Sequence, residues 1–170
     1  MDTFSSQKRS DIMRCVRSKD TAPEIKVRSL LHRLGFRFTL HRRDLPGRPD
    51  IVLPKYSTVV FVHGCFWHRH PRCPNATKPA TRQDYWLPKF NRTVTRDQRN
   101  QEEIRRRGWS VVVVWECELR DTERLTRRLR KAIASRLVLY QQLLSTVELA
   151  AESPMSYGTN VDHIEIINSR

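Results

Sequence analysis

A chain of 170 residues with 38% hydrophobic content can bury one modest core but not two, so one domain with a short extension is expected. Lysine and arginine number 32 against 18 acidic residues, a formal charge of +14 that calls for a polyanionic partner or a surface tolerant of self-repulsion. No apolar run approaches the roughly 20 residues of a spanning helix, and Met1 to Ser10 lacks the apolar core of a signal peptide, so a cytoplasmic protein without membrane contact is expected.

In chain order, residues 1–20 are polar and basic and read as a flexible arm. Thr21-Ala22-Pro23-Glu24 opens a helix: Thr21 caps, Pro23 suits the first turn and Glu24 complements the positive end of the dipole. Val27, Leu30, Leu31 and Leu34 form its apolar stripe, and Gly35 ends it. A short strand is expected over Arg37 to His41 and a turn over Leu45-Pro46-Gly47-Arg48-Pro49. Asp50–Leu53 and the β-branched run Thr58–His63 then read as a hairpin around Pro54-Lys55-Tyr56. Gly64 to Thr81 is too rich in Pro, His and Cys for regular structure. A charged helix follows from about Arg82 to Arg107, ended by Gly108, and then a buried strand, Ser110–Trp115. Asp121 caps a last amphipathic helix carrying Leu125, Leu129, Ile133 and Leu137, with residues 139–150 extending it or forming another. From Ser153 onward the chain reads as a disordered tail. The expected organisation is an arm over 1–20, one domain over 21–150 and a tail over 151–170. The fold class is α/β, a mixed sheet flanked by helices. The order helix, hairpin, helix, strand also describes the core of the PD-(D/E)xK nucleases.

In a reducing compartment the four cysteines are not expected to form disulfides. Cys65-x4-His70-x2-Cys73 sets three soft ligands in one loop, and Cys117 lies just past the Ser110–Trp115 strand. If that strand neighbours Thr58–His63, the four residues make a closed Cys3His site suited to structural Zn2+. Such a site would stiffen a long loop without a core of its own. The bland alternative is three small buried hydrophobes and a surface histidine. Cys15, in the arm, has no evident partner.

Asp50 begins a strand directly after Pro49, where a carboxylate held by the sheet can carry a hard divalent cation such as Mg2+. His63 ends the next strand and His68 follows closely, so an imidazole there can take a proton from water or position it. Glu24 opens a helix that can pack against this end of the sheet and orient the water or a histidine. Each also has a plain reading: Asp50 as a turn residue, Glu24 as a dipole charge, His63 as a strand-end polar group. The pairs Phe66-Trp67 and Tyr85-Trp86 sit among Arg and Lys, as base-stacking or wedging side chains do. Adjacent residues in an irregular loop do not easily both reach one core, although Tyr85 and Trp86 suit an amphipathic helix. Trp109 and Trp115 flank a strand and are expected in the core.

The runs Leu45-Pro46-Gly47-Arg48-Pro49-Asp50 and Phe61-Val62-His63-Gly64-Cys65-Phe66-Trp67-His68-Arg69-His70 carry a specific resemblance. So do Pro79-Ala80-Thr81-Arg82, Trp86, Arg96-Asp97, Gly108-Trp109, Val114-Trp115-Glu116-Cys117, and Asp20-Thr21 with Glu24. Over about residues 8–137 the chain resembles the very-short-patch-repair (Vsr) endonucleases. That resemblance implies an enzyme acting on double-stranded DNA with a T·G mismatch left by 5-methylcytosine deamination, nicking 5′ to the mispaired T and leaving a 5′-phosphate. It implies Asp50 and the Val62 backbone carbonyl as Mg2+ ligands, His68 as base, and His63 and Glu24 in support. Cys65, His70, Cys73 and Cys117 would hold Zn2+. Phe66, Trp67 and Trp86 would wedge beside the mismatch, and Met13 would enter from the opposite groove. His63 stands where the PD-(D/E)xK pattern has its later acidic residue and lysine, a departure the family shares. Lys89 matches a family position facing the mismatched bases. The Asn expected four residues on is replaced by Thr93, whose hydroxyl cannot make a bidentate base contact. The resemblance further implies a monomer on the bacterial nucleoid, working alongside mismatch-repair proteins.

Two other enzyme-free or altered readings share parts of this pattern. A restriction-type nuclease of the same fold would cut matched DNA, and a silent zinc-stiffened DNA-binding module would bind without Mg2+-dependent nicking. An RNA-binding protein would explain the charge but not the metal-ligand residues.

Overall fold

The computed structural model describes residues 7, 8, 11 and 19–135, all inside one compact unit, Met1–Leu137. Met13, Cys15, Leu137, most of the expected arm and the whole expected tail lie outside the described residues. Among the described residues no helix is long and apolar enough to cross a membrane.

Helix α1 spans Ala22–Arg33. Thr21 caps it in an extended conformation, its hydroxyl accepting the Glu24 N–H at 3.5 Å. Val27, Leu30 and Leu31 form the buried stripe. Strand β1 is only Thr39–Leu40, shorter than the expected Arg37–His41. Phe36 turns into the core, edge-on to Tyr56 at 5.2 Å, and His41 sits at φ +49, so two residues remain to pair with β2. Strand β2 is Ile51–Leu53, one residue shorter than expected, because Asp50 joins the pairing through its side chain. Strand β3, Thr58–His63, runs antiparallel to β2 with Ile51 opposite Val60, completing the expected hairpin.

Helix α2, Gln83–Arg106, crosses from β3 to the parallel strand β4, Ser110–Trp115. Their register runs from Thr58 opposite Ser110 to His63 opposite Trp115. The four strands are ordered β1-β2-β3-β4, so β3 and β4 end at the same side of the sheet. A last helix, α3, includes residues 122–135, and Asp121 caps it by accepting the Arg124 N–H at 2.9 Å.

Alternation along the strands builds two cores. Ile51, Leu53, Val60, Val112 and Val114 face α1 and α3 and pack on Leu31, Leu125, Leu129 and Ile133. Val52, Val59 and Phe61 face the other way, against Leu45 and Ile104 of α2, with Trp109 alongside as expected. Each fully buried aliphatic side chain contributes roughly 1.5–3 kcal/mol of apolar burial, which fixes the sheet between its helices. Trp115 departs from its expected core position. It is half-buried at the end of β4, between His63 and His70.

The turn before Asp50 packs directly on α2. Gly47 lies at φ +69, and a Cβ there would meet the Asn100 Nδ2 at 2.7 Å and its Cβ at 3.0 Å. Both the backbone conformation and the close approach require glycine. Gly47→Ala is expected to cost about 1–3 kcal/mol, read as a Tm lowered by several degrees. An unchanged Tm would mean that this turn is not held against α2.

Candidate active site and metal cluster

At the shared end of the hairpin, α1 and α2 border a cleft of about 980 Å³ whose lining includes Glu24, Asp50, His63, Trp67, His68 and Asp97. Asp50 stands where the β2–β3 ladder gives out, and its carboxylate accepts the Val62 N–H at 2.7 Å. One oxygen is thereby anchored while the group still borders the cleft. Burial, opposed by the Val62 N–H and reinforced by the nearby Glu24 charge, pushes the Asp50 carboxyl up to about 6. A carboxylate this reluctant to ionise is a site where a cation has much to stabilise. Val62 lines the same cleft.

The two histidines meet face to face. His63 is 5% exposed, and its ring stacks on His68 with centroids 3.9 Å apart and planes 12° apart. Burial and then the His68 charge push the His63 imidazole down to about 4, so it is neutral near pH 7. His68 Nδ1 lies 2.5 Å from Asp97 Oδ2. Burial disfavours the Asp97 charge, but the His68 hydrogen bond and the nearby His68 and Arg96 charges outweigh it and hold the carboxyl below its usual range. With Nδ1–H given to Asp97, Nε2 is the nitrogen that can accept a proton.

Glu24 is 4% exposed and borders the cleft, but its hydrogen bonds go to neither histidine of the stacked pair. It accepts the Asp20 N–H at 3.0 Å, the Thr21 hydroxyl at 2.8 Å and the Arg28 guanidinium at 2.9 Å. Arg28 also donates to Asp20 and approaches His41 Nε2 at 3.1 Å. Glu24 is thus a fixed charge beside Asp50, and its neighbours orient it.

Cys65, His70, Cys73 and Cys117 offer ligand atoms that all lie within 4.8 Å of one another. His70 Nδ1 is 3.7 Å from the Cys65 sulfur and 3.3 Å from that of Cys117. A tetrahedral zinc site with bonds of about 2.3 Å to sulfur and 2.0–2.1 Å to nitrogen has sulfur–nitrogen edges of about 3.5 Å, so the donor set fits that ion. Burial, and after it the neighbouring thiols, push Cys65 up to about 12. Three adjacent thiols cannot all ionise unless a cation neutralises them. The parallel register explains the gathering, since Cys65 and Cys117 stand two residues beyond the paired His63 and Trp115. Arg69 and Arg72, at φ +54 and +56, turn the loop so that His70 and Cys73 converge.

The aromatic residues form one cluster. Phe66 contacts Trp67, Trp86 and Phe90 at centroid distances of 5.0, 5.5 and 5.2 Å. Neither Phe66 nor Trp67 belongs to the two hydrophobic cores; α2 crosses the loop and brings Trp86 and Phe90 over it, which gathers the rings into a half-buried aromatic group. Phe66, Trp67 and Trp86 stay half-buried, and Tyr85 is 45% exposed. Lys89 Nζ lies 5.2 to 5.4 Å from the rings of Tyr85, Trp67 and Trp86. The Thr93 hydroxyl donates to the Lys89 carbonyl at 3.0 Å, so it is spent on its own helix.

The structure brings Glu24, Asp50, Val62, His63, Trp67 and His68 to one cleft, Cys65, His70, Cys73 and Cys117 to one cluster, and Phe66, Trp67, Trp86 and Lys89 to one aromatic group, while Thr93 is bonded to its own helix. Sequence reasoning gave no role to Asp97, Arg28, His41 or Phe90. Asp97 carried the clearest signal, as a lone carboxylate between Arg96 and Arg99 in an arginine-rich helix.

Comparison with known proteins bears on what this arrangement does. Residues 1–74 match the family model of the DNA mismatch endonuclease Vsr. The chain is 52% identical over 132 residues to the Type II nicking enzyme V.XorIIP of Xanthomonas oryzae pv. oryzae, covering 78% of this chain and 96% of that protein. It is 44% identical over 125 residues to the DNA mismatch endonuclease Vsr of Escherichia coli, covering 74% of this chain and 80% of that one. Among solved structures it matches the catalytic domain of the homing endonuclease I-Bth0305I with a TM-score of 0.49 and 19% identity, over 69% of this chain and 99% of that one. At 52% and 44% identity to these two enzymes over 78% and 74% of its length, the chain belongs to the Vsr family of DNA mismatch endonucleases.

Proposed function

We propose that the protein nicks double-stranded DNA 5′ to the mispaired T of a T·G mismatch, with Mg2+ at Asp50 and Zn2+ in the Cys65–His70–Cys73–Cys117 cluster. The observation that carries this reading is the convergence of Asp50, His63, His68 and Asp97 in one cleft that Trp67 also lines. Cation site, proton acceptor and stacking surface are thereby adjacent. The hairpin, crossover helix and parallel strand support a PD-(D/E)xK-like core, with His63 in place of its acidic residue and lysine. In this reading the enzyme works on bacterial DNA in the cytoplasm.

A divalent cation at Asp50, with the Val62 carbonyl as a further oxygen ligand, would spread charge from the phosphoryl oxygens as the bond breaks. The protein's own groups do the rest. Asp97 holds His68 through Nδ1, so that Nε2 takes the proton from the attacking water. Asp97 then stabilises the resulting imidazolium. His63, neutral and stacked on His68, fixes the ring plane without adding a competing charge. Glu24, ion-paired with Arg28 and held by Thr21 and the Asp20 N–H, borders the cation site as a positioning group.

Phe66, Trp67 and Trp86, with Lys89 over the rings, provide the stacking face against the mispaired base step. Unstacking costs least at a mismatch, which is where such a wedge gains selectivity. With Thr93 hydrogen-bonded to its own helix, base reading at that position is weaker than an amide would give.

The direct test compares T·G and matched T·A duplexes with Mg2+. A single nick 5′ to the mispaired T, with a 5′-phosphate, is expected only in the T·G duplex, and Asp50→Ala should abolish it while DNA binding persists. Equal cutting of both duplexes would make this a sequence-directed nuclease, and tight binding without cutting would make it a silent module. Asp97→Asn should lower the single-turnover rate by about 10²-fold while leaving the Kd for the T·G duplex nearly unchanged. A rate like that of the unaltered protein would remove Asp97 from the mechanism.

A further inference from the structure

Arg96 and Asn100 border the catalytic cleft, and both also line a second open groove of about 860 Å³ along α2, reaching Pro46. On the helix side its lining includes Arg92, Arg96, Arg99, Glu103 and Arg106, which recur at i, i+4, i+7, i+11 and i+14 and therefore form one stripe. Glu103, the groove's one acidic lining residue among the described residues, is taken by Arg106 at 2.9 Å and Arg107 at 3.0 Å. That leaves the half nearer the cleft strongly positive. Among the described residues Arg92 bonds only the Pro88 carbonyl, at 3.4 Å, and Arg99 has no ion pair. Arg96 reaches Asp97 at 3.4 Å, with its side chain 64% exposed.

Like charges stacked along one helix face repel and weaken the helix. Here Glu103, four residues after Arg99, is paired with Arg106 and Arg107, and Asp97 is shared with His68, so Arg92, Arg96 and Arg99 keep most of their mutual repulsion. A planar guanidinium presents a fork of donors that matches a phosphate. From Arg92 to Arg106 the stripe spans about 21 Å at about 1.5 Å per residue, the axial length of about six base pairs at ~3.4 Å each.

We propose that this groove binds the sugar–phosphate backbone of the substrate duplex on one side of the cut, with Arg92, Arg96 and Arg99 each neutralising a phosphate. The inference rests on the nuclease reading and adds a backbone track that continues from the cleft through Arg96 and Asn100. Its contacts carry no sequence information; they set how far the duplex must extend beyond the nick to be gripped.

The test uses the full chain and a 30-base-pair duplex with a central T·G mismatch, with Ca2+ replacing Mg2+ during binding measurements. Two further duplexes are shortened to three base pairs beyond the mismatch, one on each side. The Arg92→Gln/Arg99→Gln protein should show a slope of log K against log salt reduced by about 2, and about 60-fold weaker binding at 0.1 M salt, from two lost contacts at about 0.9 each. This deficit should vanish on one shortened duplex and persist on the other. Unaltered protein should itself lose affinity when that same arm is shortened, a readout that needs no variant. Equal slopes for variant and unaltered protein on the long duplex would overturn the proposal and leave the groove to an acidic protein partner. An equal deficit on both shortened duplexes would also overturn it, since that marks a diffuse charge effect. Mg2+-dependent nicking of the long duplex by unaltered protein, scored alongside, reports separately on the nuclease reading.

Discussion

The in-register parallel pairing of β3 with β4 is the constraint on which the rest depends. It sets His63 opposite Trp115, so two residues further along both chains Cys65 and Cys117 arrive side by side. From there the end of β3 and the short segment after it serve two sites by turns. His63 and His68 belong to the cleft, while Cys65 and His70 belong to the cysteine–histidine cluster. Trp115 fills the space between them, stacked on His70 at 4.2 Å and edge-on to His63 at 5.3 Å. A continuous run of ring contacts therefore links the cluster to Asp97 through His70, Trp115, His63 and His68. The loop has no regular structure of its own, so its shape depends on the cluster at one side and on Phe66 and Arg69 packed against Phe90 at the other.

The electrostatics of the cleft follow from that placement. In a protein of net charge +14 the cleft lining nevertheless includes the carboxylates of Asp50, Glu24 and Asp97. Each is handled differently. Arg28 neutralises Glu24, and His68 partners Asp97, whereas among the described residues Asp50 has one main-chain N–H, from Val62, and is pushed up to about 6 by its burial. The unneutralised carboxylate is the one suited to a cation. The stacked histidines are differentiated in the same way: burial keeps His63 neutral, whereas the His68 Nδ1 is turned to Asp97 at 2.5 Å.

Much of this was legible in the sequence because it rests on local pattern. The stripe of Val27, Leu30 and Leu31, the β-branched runs of β3 and β4, and the Cys65-x4-His70-x2-Cys73 spacing each reflect a geometry internal to one element. What escaped depends on elements meeting in space. Asp97 reaches His68 across 29 residues of chain because α2 folds back over the loop. Trp115 flanks a strand and so reads as core, yet the strand ends there and its ring covers two histidines instead. Strand β1 was overextended because Phe36 serves the core and the backbone of His41 is turned out of the strand region, neither of which leaves a periodic trace.

The measurement that tests this account most directly follows zinc content and the single-turnover nicking rate of a T·G duplex together, in excess Mg2+, as a zinc-selective chelator strips the protein. The account predicts that the rate falls in step with zinc and returns on its readdition, because the cluster holds the segment that carries His63 and His68. Full nicking by zinc-free protein would contradict it, and would separate the cluster from the catalytic cleft.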